Sequence, residues 1–119
     1  MTTSSMLRTR PISWVKAAQK DFDRFPQGAR VDLARALTVV AEGGHPDIAK
    51  PLKGLGSGIL ELAHRFNSDA YRVVYAVQIG DAVWVLHAFQ KKSRTGIKTP
   101  KAEIDLIEER LKRLKETLK

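Results

Sequence analysis

Three strand-like segments follow one another in the middle of the chain, and their spacing limits the possible folds more than any other feature. They span residues 59–66, 70–79 and 82–91, and only 67–69 (NSD) and 80–81 (GD) separate them. Parallel neighbours need a connection of a dozen or more residues, whereas two or three polar residues are enough to join antiparallel strands. The sequence therefore predicts an antiparallel three-stranded meander.

The short turn at 80–81 also fixes which residues of the last two strands face each other. The predicted pairs are Tyr75 with Leu86, Val74 with His87, and Arg72 with Phe89. A bulge would shift this register by one residue. The same alternation places a set of large side chains on one core-facing side of the sheet: Tyr71, Val73, Tyr75, Val77, Trp84 and Leu86.

Helical periodicity precedes the meander. Apolar residues at helical spacing predict a helix that begins with Ser13 as its N-cap and ends at Pro26, although 11–14 also fits a short edge strand. A second helix is predicted over 27–42, with its stop at the glycines 43–44. Its predicted apolar stripe consists of Val31, Ala34, Leu37, Val40 and Ala41. Residues 45–58 contain five Pro and Gly residues and are predicted to be a loop.

The C-terminal segment has the pattern of an amphipathic helix. Thr99 fits the N-cap and Pro100 the first helical position. The apolar residues repeat at intervals of three and four: Ile104, Ile107, Leu111, Leu114 and Leu118. Together these elements predict an α+β fold, in which an N-terminal helical hairpin and a C-terminal helix pack on a small antiparallel β-sheet.

The length of 119 residues predicts a single domain spanning 1–119, with frayed residues at 1–9. The N-terminal residues lack the apolar core of a secretory signal, and no window is long and apolar enough to span a membrane. We therefore expect a cytoplasmic protein without membrane attachment.

Charge is the unusual feature of the composition. Twenty-one Lys and Arg residues against 13 Asp and Glu residues give a formal net charge of +8, which favours a polyanionic partner. The absence of cysteine excludes disulfides and thiolate chemistry. The three histidines do not have metal-ligand spacing, and the glycine-rich stretch 54–58 lacks the ending of a phosphate-binding loop. We expect neither a metal nor another cofactor.

Several separate segments contribute cations that the fold would bring to one concave surface. These candidates for binding a phosphodiester backbone are Lys50, Lys53, Arg65, Arg72, Lys91, Lys92, Arg94 and Lys98. For some candidates, structural roles remain open. Arg72 also fits an ion pair with Glu61, Asp69 or Asp81, and Lys91, Lys92 and Arg94 also fit protection of a sheet edge.

Two residues of the last strand complete the candidate set. His87 has a side chain suited to proton transfer near neutral pH, but a packed, hydrogen-bonded strand histidine fits its position equally well. Phe89 is a candidate for stacking on an RNA base.

Four stretches carry a family resemblance: 51–55 (PLKGL), 71–75 (YRVVY), 86–93 (LHAFQKKS) and 98–100 (KTP). In this order they resemble the RelE/HigB toxin superfamily, and specifically its phage-derived, HigB-like branch. The resemblance covers most of the chain. It implies a toxin of a type II toxin–antitoxin system that cleaves mRNA, commonly on the ribosome, and thereby inhibits translation.

The resemblance also implies roles for particular residues. Lys53, Arg65 and Lys92 match basic residues of the family's site, and Lys91 extends that site. Relatives of the RelE type use a C-terminal tyrosine, but no tyrosine follows Tyr75 here. His87 is therefore the substitute candidate.

Metal-independent endoribonuclease activity follows as the expected function, with Lys53, Arg65, His87 and Lys92 as catalytic candidates. The expected partners are mRNA, the ribosome and a cognate antitoxin of the helix-turn-helix type. Two alternatives remain: a noncatalytic inhibitor of DNA gyrase like those of the ParE branch, and a nucleic-acid-binding module without cleavage.

Overall fold

The computed structural model describes residues 9–91 and 98–119, which form an α+β structure as predicted. The elements in these residues are β1 (Ile12–Trp14), α1 (Lys16–Asp23), α2 (Gln27–Ala41), β2 (Ala49–Pro51), β3 (Ile59–Phe66), β4 (Asp69–Ile79), β5 (Ala82–Lys91) and α3 (Lys101–Thr117). No helix in these two ranges is long and apolar enough to cross a membrane. The prediction of frayed residues at 1–9 lies outside the described residues except at Thr9.

The five strands form one sheet in the order β1-β5-β4-β3-β2. Strands β3, β4 and β5 are antiparallel neighbours, so the predicted meander is confirmed. Asn67 and Ser68 form the first turn with positive φ angles of 49° and 73°, which a two-residue hairpin requires. The second turn contains only Gly80 and Asp81, and Ile79 pairs with Ala82 across it.

A short parallel strand occupies the place where the first helix was predicted to begin. β1 pairs in parallel with β5, and the bonds from Val83 N to Pro11 O and from Val15 N to Val85 O hold it extended. The prediction of Ser13 as a helix cap is therefore wrong, and the edge-strand alternative for 11–14 is confirmed. Residues 49–51, predicted as loop, also form a short edge strand, because β2 pairs with residues 60–62 of β3.

Two apolar clusters cover opposite faces of the sheet. Helices α1 and α2 pack on one face, and α3 packs on the other through Ile107, Leu111 and Leu114. The predicted stripe of α2 is partly wrong, since Val31 is 41% exposed and Ala34 is also exposed, whereas Leu33 is buried. Leu118 lies beyond the end of α3 and is exposed.

A β-bulge in β5 changes the predicted register at one position. Val74 pairs with His87 and Arg72 with Phe89 as predicted, but Tyr75 pairs with Val85 because the register shifts there. As a result Leu86 packs with α3, on the face opposite to the two tyrosines. Trp84 is also on the α3 side, so its predicted grouping with Tyr71 and Tyr75 is wrong.

Candidate functional site

A groove lies between the β2 region and the start of α3. Its volume is about 740 Å³. Four lysines line it, two from the β2 side and two from the chain that enters α3: Lys50, Lys53, Lys98 and Lys101. Pro51, Leu52 and Ile104 supply an apolar part of the wall. A surface with several ammonium groups beside an apolar wall suits a ligand that has both phosphates and flat rings.

Two further cations lie on the same face of the sheet, beyond the groove. Arg65 pairs with Ala70, and Ala70 pairs with Lys91, so both cations belong to one cross-strand row. Arg65 is exposed and follows Glu61 by four residues, which corresponds to about 13 Å along a strand. The structure thus brings Lys50, Lys53, Lys91 and Lys98 around one region of this face, with Arg65 at its far end.

A buried ion pair forms the floor of the groove. Arg72 Nη1 donates to Glu61 Oε1 over 3.0 Å, and the two side chains are almost completely buried. Of the three acids that the sequence left as partners for Arg72, the structure selects Glu61. This contact favours the structural alternative for Arg72 over direct RNA binding, because the pair is covered by the protein.

Thr99 has a different role from the predicted one. Its hydroxyl donates to Glu61 Oε2 over 2.8 Å, while Pro100 occupies the N-cap position of α3. Thr99 is therefore not a helix cap, because its side chain is engaged by the sheet. The bond connects the segment before α3 to the floor of the groove.

Lys91 has an unusual electrostatic environment. Its ammonium group donates to Lys98 O over 2.5 Å. Desolvation lowers the pKa of Lys91 below its ordinary value, the positive charge of Arg72 lowers this pKa further, and the negative charge of Glu61 opposes both. A lysine with a lowered pKa is a stronger acid than an ordinary lysine, and this suits proton transfer.

His87 is buried under α3 with both ring nitrogens engaged. Arg110 Nη1 donates to Nδ1 over 2.9 Å, and a guanidinium group cannot accept a hydrogen bond. The ring proton must therefore reside on Nε2, which donates to Glu103 Oε1. With 3% of its surface exposed, His87 matches the packed histidine that the sequence allowed as the alternative to catalysis.

Phe89 is also buried, with 8% of its surface exposed. Its ring stacks on the His87 ring at a centroid distance of 5.1 Å and packs in the cluster under α3. This environment favours a core role over base stacking. The candidates Lys92 and Arg94 lie outside the described residues.

The sequence patterns indicated no function for Glu61 and did not select Lys101. Glu61 had a usable signal: it alternates with Ile59 and Ala63 on the face that packs against α3. In the structure Ala63 pairs with Arg72, so Glu61 is a diagonal neighbour of Arg72 on that face. Lys101 had no comparable signal, because its direction depends on where α3 begins.

The fold is that of the RelE toxins. The chain is similar to the Escherichia coli toxin RelE in two structures. A free arginine-to-alanine double mutant has a TM-score of 0.56 at 20% identity, covering 88% of this chain and 97% of that one. The isolated toxin has a TM-score of 0.54 at 20% identity, covering 88% and 98%. The RelBE2 toxin–antitoxin complex from Mycobacterium tuberculosis has a TM-score of 0.51 at 15% identity, covering 71% and 94%.

Residues 20–112 match the family described as phage derived protein Gp49-like (DUF891), and the chain belongs to this family. The match contains most of the chain, including β2 to β5 and the groove. No curated protein sequence is significantly similar to the chain. The predicted resemblance to a phage-derived family is thus confirmed by the family match, and the predicted RelE-like fold is confirmed by the structural matches.

Proposed function

We propose that this protein is the toxin of a type II toxin–antitoxin system and that it inhibits translation by cleaving mRNA without a metal ion. The lysine-lined groove carries the proposal, because Lys50, Lys53, Lys98 and Lys101 converge there from two separate parts of the chain. The fold shared with RelE supports a toxin. The similarity to a toxin–antitoxin complex supports an antitoxin partner, for which we keep the helix-turn-helix type as part of the proposal.

Cleavage without a metal needs a base, an acid and cations around the phosphate. The ribose 2′-oxygen loses its proton and attacks phosphorus, the bond from phosphorus to the 5′-oxygen breaks, and that oxygen takes up a proton. The products are a 2′,3′-cyclic phosphate and a 5′-hydroxyl. Cations stabilise the extra negative charge that develops on the phosphoryl oxygens.

We assign charge stabilisation to Arg65 and Lys92, and binding of the RNA backbone to Lys50, Lys98 and Arg94. Lys91, with its lowered pKa, is our candidate for the general acid, and Lys53 is our candidate for the general base. His87 is a weaker candidate for proton transfer than the sequence indicated, because Arg110 and Glu103 occupy both ring nitrogens.

The test is primer extension on a reporter mRNA with purified protein, once with EDTA and no ribosomes, and once with translating ribosomes in the magnesium buffer that they require. We expect new 5′-hydroxyl ends within the coding region, and cutting only with ribosomes would establish ribosome dependence. Arg65→Ala should reduce the rate by about 10²–10³-fold, as for other preorganised charge contacts. Arg35→Ala is the matched control, since Arg35 is exposed on α2, on the opposite side of the sheet.

Two outcomes would contradict the proposal. Intact mRNA together with DNA damage after induction would indicate a gyrase inhibitor of the ParE kind. Retention of RNA without any new ends would indicate a binding module. Full activity of an Arg65→Ala, Lys92→Ala double variant would overturn the assignment of the cations.

A further inference from the structure

Stability gives no reason for the buried ion pair at the floor of the groove. Glu61 is 2% exposed and Arg72 is 5% exposed. Removing two charges from water costs several kcal/mol per ion, and apolar replacements of a buried pair are often neutral or stabilising. The apolar cluster under α3 is adjacent, so an apolar pair would be compatible with the surroundings. A charged pair in this place calls for a functional explanation.

Glu61 has contacts in two directions. Oε1 accepts from Arg72 on β4, and Oε2 accepts from Thr99 in the segment before α3. The same segment receives a second bond, from Lys91 at the end of β5 to Lys98 O. Glu61 and Lys91 therefore hold neighbouring residues of one segment to two different strands of the sheet.

The charges around Lys91 come from three directions. Arg72 on β4 and Arg65 on β3 are positive, and Lys98 belongs to the segment that Lys91 contacts. Glu61 on β3 supplies negative charge, and its effect on the pKa of Lys91 is opposite to that of Arg72. Neutralising Glu61 would leave the Arg72 guanidinium buried next to another cation.

We propose that Glu61 is a positioning residue of the cleavage site, which holds Arg72 and Thr99 at the groove floor and balances the positive charge around Lys91. This inference rests on the proposed function, because it assigns Glu61 a role in the same reaction. Glu61 does not contact the RNA. Its negative charge favours the protonated form of Lys91, which donates a proton to the leaving 5′-oxygen.

The first test does not depend on activity. The ε-amino group of Lys91 is titrated by NMR in the full chain with labelled lysine, using Lys91→Arg to assign the signal. Glu61→Gln should lower the pKa of Lys91, and Arg72→Gln should raise it, because the two variants remove charges of opposite sign. Glu109→Gln is the control, since Glu109 is exposed on α3 and pairs with Arg113. Shifts in the same direction, or no shift, would overturn the inference.

If Glu61→Gln does not fold, a variant that lacks both charges provides the test. In Glu61→Gln/Arg72→Gln the two amides can still bond to each other, and no unpaired charge is buried. The pKa of Lys91 should then be lower than in Arg72→Gln, because the double variant also lacks the negative charge of Glu61. A value equal to or above that of Arg72→Gln would contradict the charge balance.

The second test is the pH dependence of cleavage. In the wild type the rate should fall at alkaline pH as Lys91 loses its proton. The fall should move to lower pH in Glu61→Gln and to higher pH in Arg72→Gln. Thr99→Val, which keeps both charges, should leave the pH of the fall unchanged and reduce the rate by up to about a hundredfold through misplacement of the groove wall.

The two tests separate the inference from the function on which it rests. If the wild type does not cut RNA, the proposed function fails, and the NMR titration still decides whether Glu61 controls Lys91. If the wild type cuts RNA and the pH profiles of the three proteins coincide, the role of Glu61 is overturned and the nuclease proposal stands.

Discussion

Tyr75 shows how a single buried side chain links stability to pH. Only 1% of its surface is exposed, and burial raises the pKa of its hydroxyl from 10.0 to about 12. Because the folded-state pKa is the higher one, the stabilisation is fully present below pH 10 and is lost as pH rises towards 12. The full loss, reached only well above pH 12, corresponds to about 3 kcal/mol.

Tyr75→Phe should therefore remove part of the alkaline loss of stability. We expect the free energy of unfolding of the wild type to fall by about 2 kcal/mol more than that of Tyr75→Phe between pH 10 and 12. Urea unfolding of both proteins at each pH measures this, and the difference cancels the titration of the lysines. Parallel curves for the two proteins would show that Tyr75 does not titrate differently in the folded state.

At the scale of residues, the sequence predicted cross-strand pairs, because turn length determines them. It did not predict the hydrogen bonds between side chains, because these depend on which distant segments pack together. The pairs of Val74 with His87 and of Arg72 with Phe89 follow from the two-residue turn. The partner of Arg72 remained open among three acids, because turn length and strand alternation do not determine which carboxylate a long side chain contacts. Thr99 matched a helix cap locally, but the carboxylate of Glu61 competes for its hydroxyl, and that competitor is distant in the sequence.

At the scale of elements, α3 is held to the sheet by its apolar face, by the bond from His87 to Glu103, and by a polar anchor at Arg110. Arg110 Nη1 donates to Leu86 O over 3.0 Å and to His87 Nδ1 over 2.9 Å. Leu86 lies at the β5 bulge, where the register shift leaves strand pairing irregular. Arg110 therefore satisfies the carbonyl that the bulge releases from the sheet.

Replacing this anchor should loosen α3. We expect Arg110→Met to destabilise the protein by about 2 kcal/mol, because the carbonyl of Leu86 loses its charged donor while the methylene stem is largely kept. The matched control is Arg113→Met on the same helix, which should change stability by less than about 0.5 kcal/mol, since Arg113 is exposed. Chemical denaturation gives both values, and equal effects of the two substitutions would rule out the anchor.

The sequence missed the three-residue edge strand β2 and indicated the other one, β1, only as an alternative. β1 and β2 are too short for an apolar period, and backbone bonds to distant strands define them. The meander and α2 were predictable because turn length and helical spacing, which define them, can be read from neighbouring residues. The start of α1 was not predictable, because the pairing of Ser13 with the distant Trp84 keeps the backbone before the helix extended.

At the scale of the whole molecule, the net charge of +8 predicts a polyanionic partner but not where that partner binds. The location depends on the fold, which brings lysines from β2 and from the start of α3 to one groove. The effect of net charge can be separated experimentally from the effect of the groove. A lysine outside the groove contributes to the net charge as much as a groove lysine does, but it contributes nothing to binding in the groove.

The salt dependence of RNA binding distinguishes the effect of net charge from that of the groove. For a single strand, the slope of log K against log salt changes by about 0.7 for each phosphate contact that is lost. We expect Lys50→Ala and Lys98→Ala each to reduce the slope by about 0.7, measured by fluorescence anisotropy with a 2′-O-methyl RNA that cannot be cleaved. Lys112→Ala removes the same unit of charge from the exposed side of α3, among acidic residues, and should leave the slope unchanged. If all three variants weaken binding equally and share one slope, the RNA responds to total charge, and the groove is not its binding site.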